Sequence, residues 1–170
     1  ESILNISKSE AFVDSSKSIT QAIYLSQIRN FISKPIFLYR DGRAQVYSTL
    51  KRHKDLWIED ACNIWVARIN HFKSIFNKWK IGHYQVQYEQ ICNAPEETLN
   101  DIWSYCDLNP KFGSIKFRQF KQHVMGNWEM RSSNTVQIRD KMEWRDNLSY
   151  KQLRVFDRIA GDTNYSLGYR

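Results

Sequence analysis

Apolar residues recur at steps of three and four in several stretches of the chain. The clearest stripe is Ile58, Cys62, Trp65, Ile69, Phe72, Phe76 and Trp79, a spacing that lines one face of a long helix. Ile19, Ala22, Ile23, Leu25, Ile28 and Phe31 predict an earlier helix, and Leu148, Leu153, Phe156 and Ile159 a final one. Ala44, Val46, Tyr47 and Leu50 predict another, with Asp41 as its N-cap. Residues 95–106 read as a short helix, with Pro95 in its first turn and Glu96 and Glu97 near its positive end. Three stretches read as strands. Residues 11–14 are short and apolar and end in Asp14-Ser15-Ser16-Lys17. Ile36-Phe37-Leu38-Tyr39 is uninterrupted, as in a strand buried on both faces of a parallel sheet. Residues 83–88 alternate after Gly82. Residues 109–142 are irregular and basic. Strands alternating with helices predict an α/β layered fold with a mainly parallel sheet.

Composition narrows this picture. The chain has 170 residues, 42% of them hydrophobic, enough to bury the core of one domain over 1–170. No apolar run reaches the roughly 18–20 residues of a membrane span. Lys and Arg number 25 against 18 acidic residues, a net charge of +7. That favours an anionic partner: nucleic acid, nucleotide, or acidic or sulfated sugar. Cys62, Cys92 and Cys106 are odd in number and widely spaced, which predicts buried thiols in a reducing, cytoplasmic compartment. Sequons at Asn5, Asn147 and Asn164 become relevant in the alternative setting, a Golgi lumen. His53, His71, His83 and His123 show no metal-ligand spacing, so no metal is expected.

The stretch from Phe37 to Ser48 holds the candidate chemistry. Arg40 closes a predicted strand, a tight Asp41-Gly42 turn follows, and a helix begins. Open α/β sheets bind ligands beyond their strand ends, and a helix start offers N–H groups and a positive dipole end to an anion. Arg40 supplies a guanidinium fork and Ser48 a hydroxyl. The same residues also suit an ordinary ion pair among Arg40, Asp41 and Arg43. The Trp65 stripe and Trp103 read as core. Trp128 and Trp144 lie in irregular segments and read as packing rather than pocket wall.

Leu38-Tyr39-Arg40-Asp41-Gly42-Arg43-Ala44 with Ser48 resembles the 3′-phosphate-binding motif of the sulfotransferase family. There an Arg ending a strand and a Ser eight positions later hold the 3′-phosphate of 3′-phosphoadenosine 5′-phosphosulfate (PAPS). Members commonly read R-D-P-R; Gly42 replaces the Pro, and both residues suit a turn. Val13-Asp14-Ser15-Ser16-Lys17 resembles the family's D-S-S-K segment, and Val86-Gln87-Tyr88-Glu89-Gln90 with Pro95-Glu96-Glu97-Thr98-Leu99 its Y-E-D-L…P-E-E-T-L stretch. His123-Val124-Met125-Gly126-Asn127 with Arg131 resembles the loop that folds over the nucleotide; Trp144-Arg145, Leu148-Ser149 and Leu167-Gly168-Tyr169 resemble the family's closing segment. The likeness runs from about residue 11 to 169.

The resemblance implies a P-loop-NTPase-like layered fold, PAPS as co-substrate without a metal, and sulfuryl transfer to an acceptor hydroxyl, preferably of a carbohydrate, or to an amine. Arg40, Ser48, Tyr88, Gly126, Asn127 and Arg131 become the cofactor-binding residues, Tyr88 beside the adenine. Lys17 becomes the candidate catalytic cation and His123 a structural or lid residue; Asp14 reads as a cap for the next helix, with a general base as the alternative. Arg40 and Ser48 are expected to be dispensable for core packing. One departure is large. The six glycines, at 42, 82, 113, 126, 161 and 168, never cluster, so the family's 5′-phosphosulfate loop is missing. The chain is therefore expected to be the incomplete, C-terminal portion of such a domain. A competing reading is a basic nucleic-acid-binding module, in which Lys111, Phe112, Lys116, Phe117, Arg118, Phe120 and Lys121 stack bases and contact phosphates. Against it, no RNP, KH or helix-turn-helix signature is present, and no nucleic-acid partner is expected.

Overall fold

A computed structural model describes residues 6, 8, 10–29, 31–109, 140 and 142–170. The chain is mixed α/β and divides into two compact units, Glu1–Gln85 with Met142–Arg170, and Val86–Lys141.

In the first unit, Ser18 caps α1 (Ile19–Gln27) by accepting from the Gln21 N–H. The predicted stripe of α1 buries nothing: none of its residues is buried, and the helix stops at Gln27 rather than reaching Phe31. Residues 11–14 are not a strand. Phe12 and Val13 are exposed, because three apolar residues specify a strand only where a neighbouring strand pairs with them.

Strand β1 (Ile36–Tyr39) pairs with β2 (Tyr84–Gln87) in a two-stranded parallel sheet. The Tyr84 N–H donates to the Pro35 carbonyl at its start. The expected burial of β1 on both faces is corrected. Phe37 and Tyr39 face the core, whereas Ile36 and Leu38 are 43% and 52% exposed. A continuous apolar run does not say whether its second face is covered, and among the described residues it is not.

Helix α2 (Gly42–Arg52) follows β1 directly, capped by Asp41 as the sequence predicts. Helix α3 (Ile58–Lys78) reproduces the predicted stripe: Ala61, Cys62, Trp65, Ile69, Phe72 and Phe76 are buried, while Trp79 at its end is half exposed. Phe72 stacks on Phe37 with ring centroids 3.7 Å apart. Helix α7 (Tyr150–Tyr165) starts with a Ser149–Gln152 capping box and follows the short α6 (Trp144–Asn147). Val46 of α2, Cys62, Trp65 and Ile69 of α3, Phe156 and Ala160 of α7, and Leu167 form the main core. Each large side chain buried there is worth roughly 1.5–3 kcal/mol. A smaller cluster joins Ala44, Trp144 and Leu148, so Trp144 is packing, as predicted.

The second unit contains α4 (Tyr88–Asn93), which begins at a Gln87–Gln90 capping box, and α5 (Pro95–Tyr105). Pro95 opens α5, with Glu96 and Glu97 in its first turn, as the sequence predicts.

Candidate functional site

The β1–α2 junction is built from four side chains. Asp41 caps α2: its Oδ1 accepts from the Arg43 backbone N–H at 2.9 Å. The same carboxylate binds the Arg43 guanidinium, with Nε 3.0 and 3.1 Å from the two oxygens and Nη2 2.7 Å from Oδ2. Arg43 Nη2 also donates to the Arg170 carbonyl at 2.8 Å, and its guanidinium lies 4.5 Å from the centroid of the Trp144 ring. Asn164, buried in α7, accepts from the Gly42 N–H at 2.8 Å through Oδ1, and its Nδ2 donates to Asp41 Oδ1 at 3.4 Å.

This network corrects one expectation. The start of α2 does not offer a row of open N–H groups to an outside anion. The Gly42 N–H goes to Asn164, the Arg43 N–H goes to Asp41, and the Asp41 carboxylate already sits at the positive helix end. The Asp41–Arg43 ion pair anticipated from the sequence is present. Its side chains are largely enclosed, and the two-pronged geometry makes it stronger than an ordinary surface pair.

Gly42 is not interchangeable with the family's Pro here. A β-carbon on Gly42 would lie 2.5, 2.7 and 2.8 Å from three atoms of the Trp65 ring, and Pro would also remove the N–H that Asn164 accepts from.

Arg40 follows the last residue of β1, one residue before the cap, and is half-buried with its Nε screened from solvent. Arg40 belongs to neither core cluster. Ser48 lies on α2, about 9 Å along the axis from Gly42 at the usual helical rise. It is half-buried, and among the described residues its hydroxyl makes no hydrogen bond. Arg40 and Ser48 thus share one strand–helix unit, with no hydrogen bond joining the Ser48 hydroxyl to Arg40.

Lys17 is exposed, with a left-handed φ of 61°. It follows a turn in which Asp14 accepts from the Ser16 N–H at 2.8 Å and the Ser16 hydroxyl at 3.2 Å. Asp14 therefore shapes the turn and does not cap the following helix, which corrects the expected cap; Ser18 holds that position. Tyr88 is half-buried at the first position of α4 in the second unit. Gly126, Asn127 and Arg131, together with His123 and the basic aromatic run from Lys111 to Lys121, lie outside the described residues.

Cys62, Cys92 and Cys106 are thiols, of which only Cys62 is fully buried; the other two are half-buried, against the expectation of three buried thiols. Burial, then the nearby Glu59 carboxylate, push the Cys62 thiol up from 9.0 to about 11. Among the described residues no helix is long and apolar enough to cross a membrane, and no group of three or more His, Cys, Asp or Glu is placed to hold a metal.

Sequence reasoning missed Asn164, which it read only as a sequon. Its amide is committed to the junction, so in the folded chain it is closed to modification. The seat of Trp65 on Gly42 was also missed, since a helical stripe does not reveal which backbone it presses on. A cleft of about 650 Å³ opens at the far end of α2 from Asp41 and is lined by Arg52, His53 and Lys54 among others. No protein-family model, curated protein or solved structure matches the chain.

Proposed function

We propose that the chain is the nucleotide-binding portion of a PAPS-dependent sulfotransferase with a P-loop-like layered α/β fold. The observation that carries this reading is the β1–α2 unit. Arg40 lies between the end of β1 and the Asp41 cap of α2, and Ser48 stands on that helix with its hydroxyl uncommitted among the described residues. In this reading the Arg40 guanidinium gives a two-pronged contact and Ser48 a hydroxyl donor to the 3′-phosphate. The Asp41–Arg43–Asn164 network contributes by fixing the backbone between them.

The reaction is an in-line displacement. The acceptor oxygen or nitrogen forms a bond to sulfur, the bond from sulfur to the bridging 5′-phosphate oxygen breaks, and adenosine 3′,5′-bisphosphate leaves with the electron pair. The acceptor's proton passes to a general base. By analogy with phosphoryl transfer the transition state is loose, so catalysis rests on positioning and charge stabilisation. Lys17 is the candidate cation beside the transferring group, and Tyr88, Gly126, Asn127 and Arg131 the further nucleotide contacts. The acceptor we favour is a carbohydrate hydroxyl, and the three thiols favour a cytoplasmic setting.

Calorimetric titration of the chain with adenosine 3′,5′-bisphosphate tests the reading. Saturable binding that Ser48→Ala weakens roughly tenfold, the loss of one hydrogen bond to a charged group, supports it. Oligonucleotide binding indifferent to both Ser48→Ala and the bisphosphate overturns it in favour of a nucleic-acid module.

A further inference from the structure

We propose that the cleft at the C-terminal end of α2 is a second anion site, independent of Arg40, which takes a small phosphate or sulfate ester of a compact apolar group. The cleft spans about 650 Å³ and is open to solvent, with Arg52, Lys54 and Arg68 all exposed; its volume is within the range of small-molecule sites. Its cationic lining comes from three places: Arg52 in the last turn of α2, His53 and Lys54 in the turn that follows, and Arg68 in the middle of α3. Asp55 is the carboxylate on the same lining, so Arg52, Lys54 and Arg68 outnumber it at neutral pH.

The two other cations of α2 are each matched by a carboxylate. Arg43 pairs with Asp41 and Lys51 with Glu143. At the cleft, Lys54 and Arg68 form no ion pair or hydrogen bond among the described residues. Among the described residues Arg52 reaches only the Ser48 carbonyl, at a long 3.4 Å. A last-turn cation such as Arg52 is accounted for by the negative end of its helix. Arg68 is not: it belongs to another helix, ten residues from that helix's start.

The lining also explains why the ligand should be an ester and not a bare ion. Leu56 and Ile64 contribute to it, and Ile64 lies one turn before Arg68 on the same face of α3. An apolar group against Leu56 and Ile64 would place its oxyanion among Arg52, Lys54 and Arg68. The shared chemistry is a tetrahedral oxyanion, and the arms of the test separate phosphate from sulfate.

The test is an NMR titration of the 170-residue chain with phenyl phosphate, phenyl sulfate and inorganic phosphate. The expected result is saturable amide shifts confined to residues 49–56 and 64–68. At least one phenyl ester should bind several-fold tighter than inorganic phosphate, and the tighter ester identifies the source. Arg52→Gln with Arg68→Gln should weaken that ester tenfold or more, and Asp55→Asn, which needs no loss of a cation, should tighten it. Lys78→Gln, about 15 Å along α3 from Arg68, should leave it unchanged. The site is overturned if Lys78→Gln weakens binding as much as the double variant, if inorganic phosphate binds equally well, or if Asp55→Asn has no effect. Neither ester shifting these amides overturns it equally, and the adenosine bisphosphate titration then still stands or fails by itself.

Discussion

The indole of Trp65 lies so close over Gly42 that the glycine has no room for a side chain: an added β-carbon would meet the ring at 2.5–2.8 Å. The contact clamps the first residue of α2 to the middle of α3. It places backbone at a depth that only glycine permits. Gly42→Ala is therefore expected to lower stability by roughly 1–3 kcal/mol, the usual cost of overpacking. Urea unfolding measures it. In a Trp65→Leu background the same substitution should cost clearly less, because the two positions are coupled through this one contact. Equal costs in both backgrounds would show that the ring is not the cause.

Asn164 holds the junction from the opposite side. Asn164→Ala leaves the Gly42 N–H without its acceptor in a buried setting, which should cost about 1–3 kcal/mol. Asn164→Asp keeps an acceptor but brings a second carboxylate against Asp41, whose Oδ1 lies 3.4 Å from the Asn164 amide nitrogen. That variant should be destabilised at neutral pH and recover part of its stability on acidification, as one of the two carboxylates takes a proton. Thermal melts of both variants between pH 4 and 7 check this.

Arg43 makes a forked contact to Asp41 and also faces Trp144. Lys cannot reproduce the fork or stack on the ring. Arg43→Lys is expected to lose about 1–2 kcal/mol despite keeping the charge. A denaturant midpoint unchanged from the parent chain would contradict the role assigned to the fork.

The raised Cys62 thiol gives an alkaline limit to stability. Its neutral form is favoured in the folded chain, with the pKa moved from 9.0 to about 11. The associated stability is fully present below about pH 9 and is lost as pH rises towards 11. The shift corresponds to at most about 3 kcal/mol. Other groups also titrate there, so the readout is the difference between the parent chain and Cys62→Ala, whose melting temperatures should converge above pH 9. Iodoacetamide at pH 8 should spare Cys62 until the chain unfolds.

Most of the helices were legible because each carries its own local signals. The Trp65 stripe marks α3, Asp41 caps α2, and Pro95 with Glu96 and Glu97 opens α5. The strands were less legible. Ile36 and Leu38 are as apolar as Phe37, so nothing local says that one face of β1 is exposed. Residues 11–14 have strand-like composition without strand structure. At the site, the positions of Arg40 and Ser48 on one strand–helix unit followed from their order along the chain. The commitment of the α2 N–H groups did not, because Asn164 acts from more than a hundred residues away. Contacts of that separation leave no periodic mark in a single sequence.

The central claim is that Arg40 and Ser48 recognise a ribose 3′-phosphate, and the affinity ratio of adenosine 3′,5′-bisphosphate to 5′-AMP tests it most directly. The account predicts that the parent chain prefers the bisphosphate by tenfold or more, about the worth of one charge-assisted contact. Ser48→Ala, which removes a hydroxyl without disturbing the core, should shrink that preference while leaving the 5′-AMP affinity in place. Equal affinities for the two nucleotides in the parent chain, or a preference that Ser48→Ala and Arg40→Lys leave intact, would contradict it.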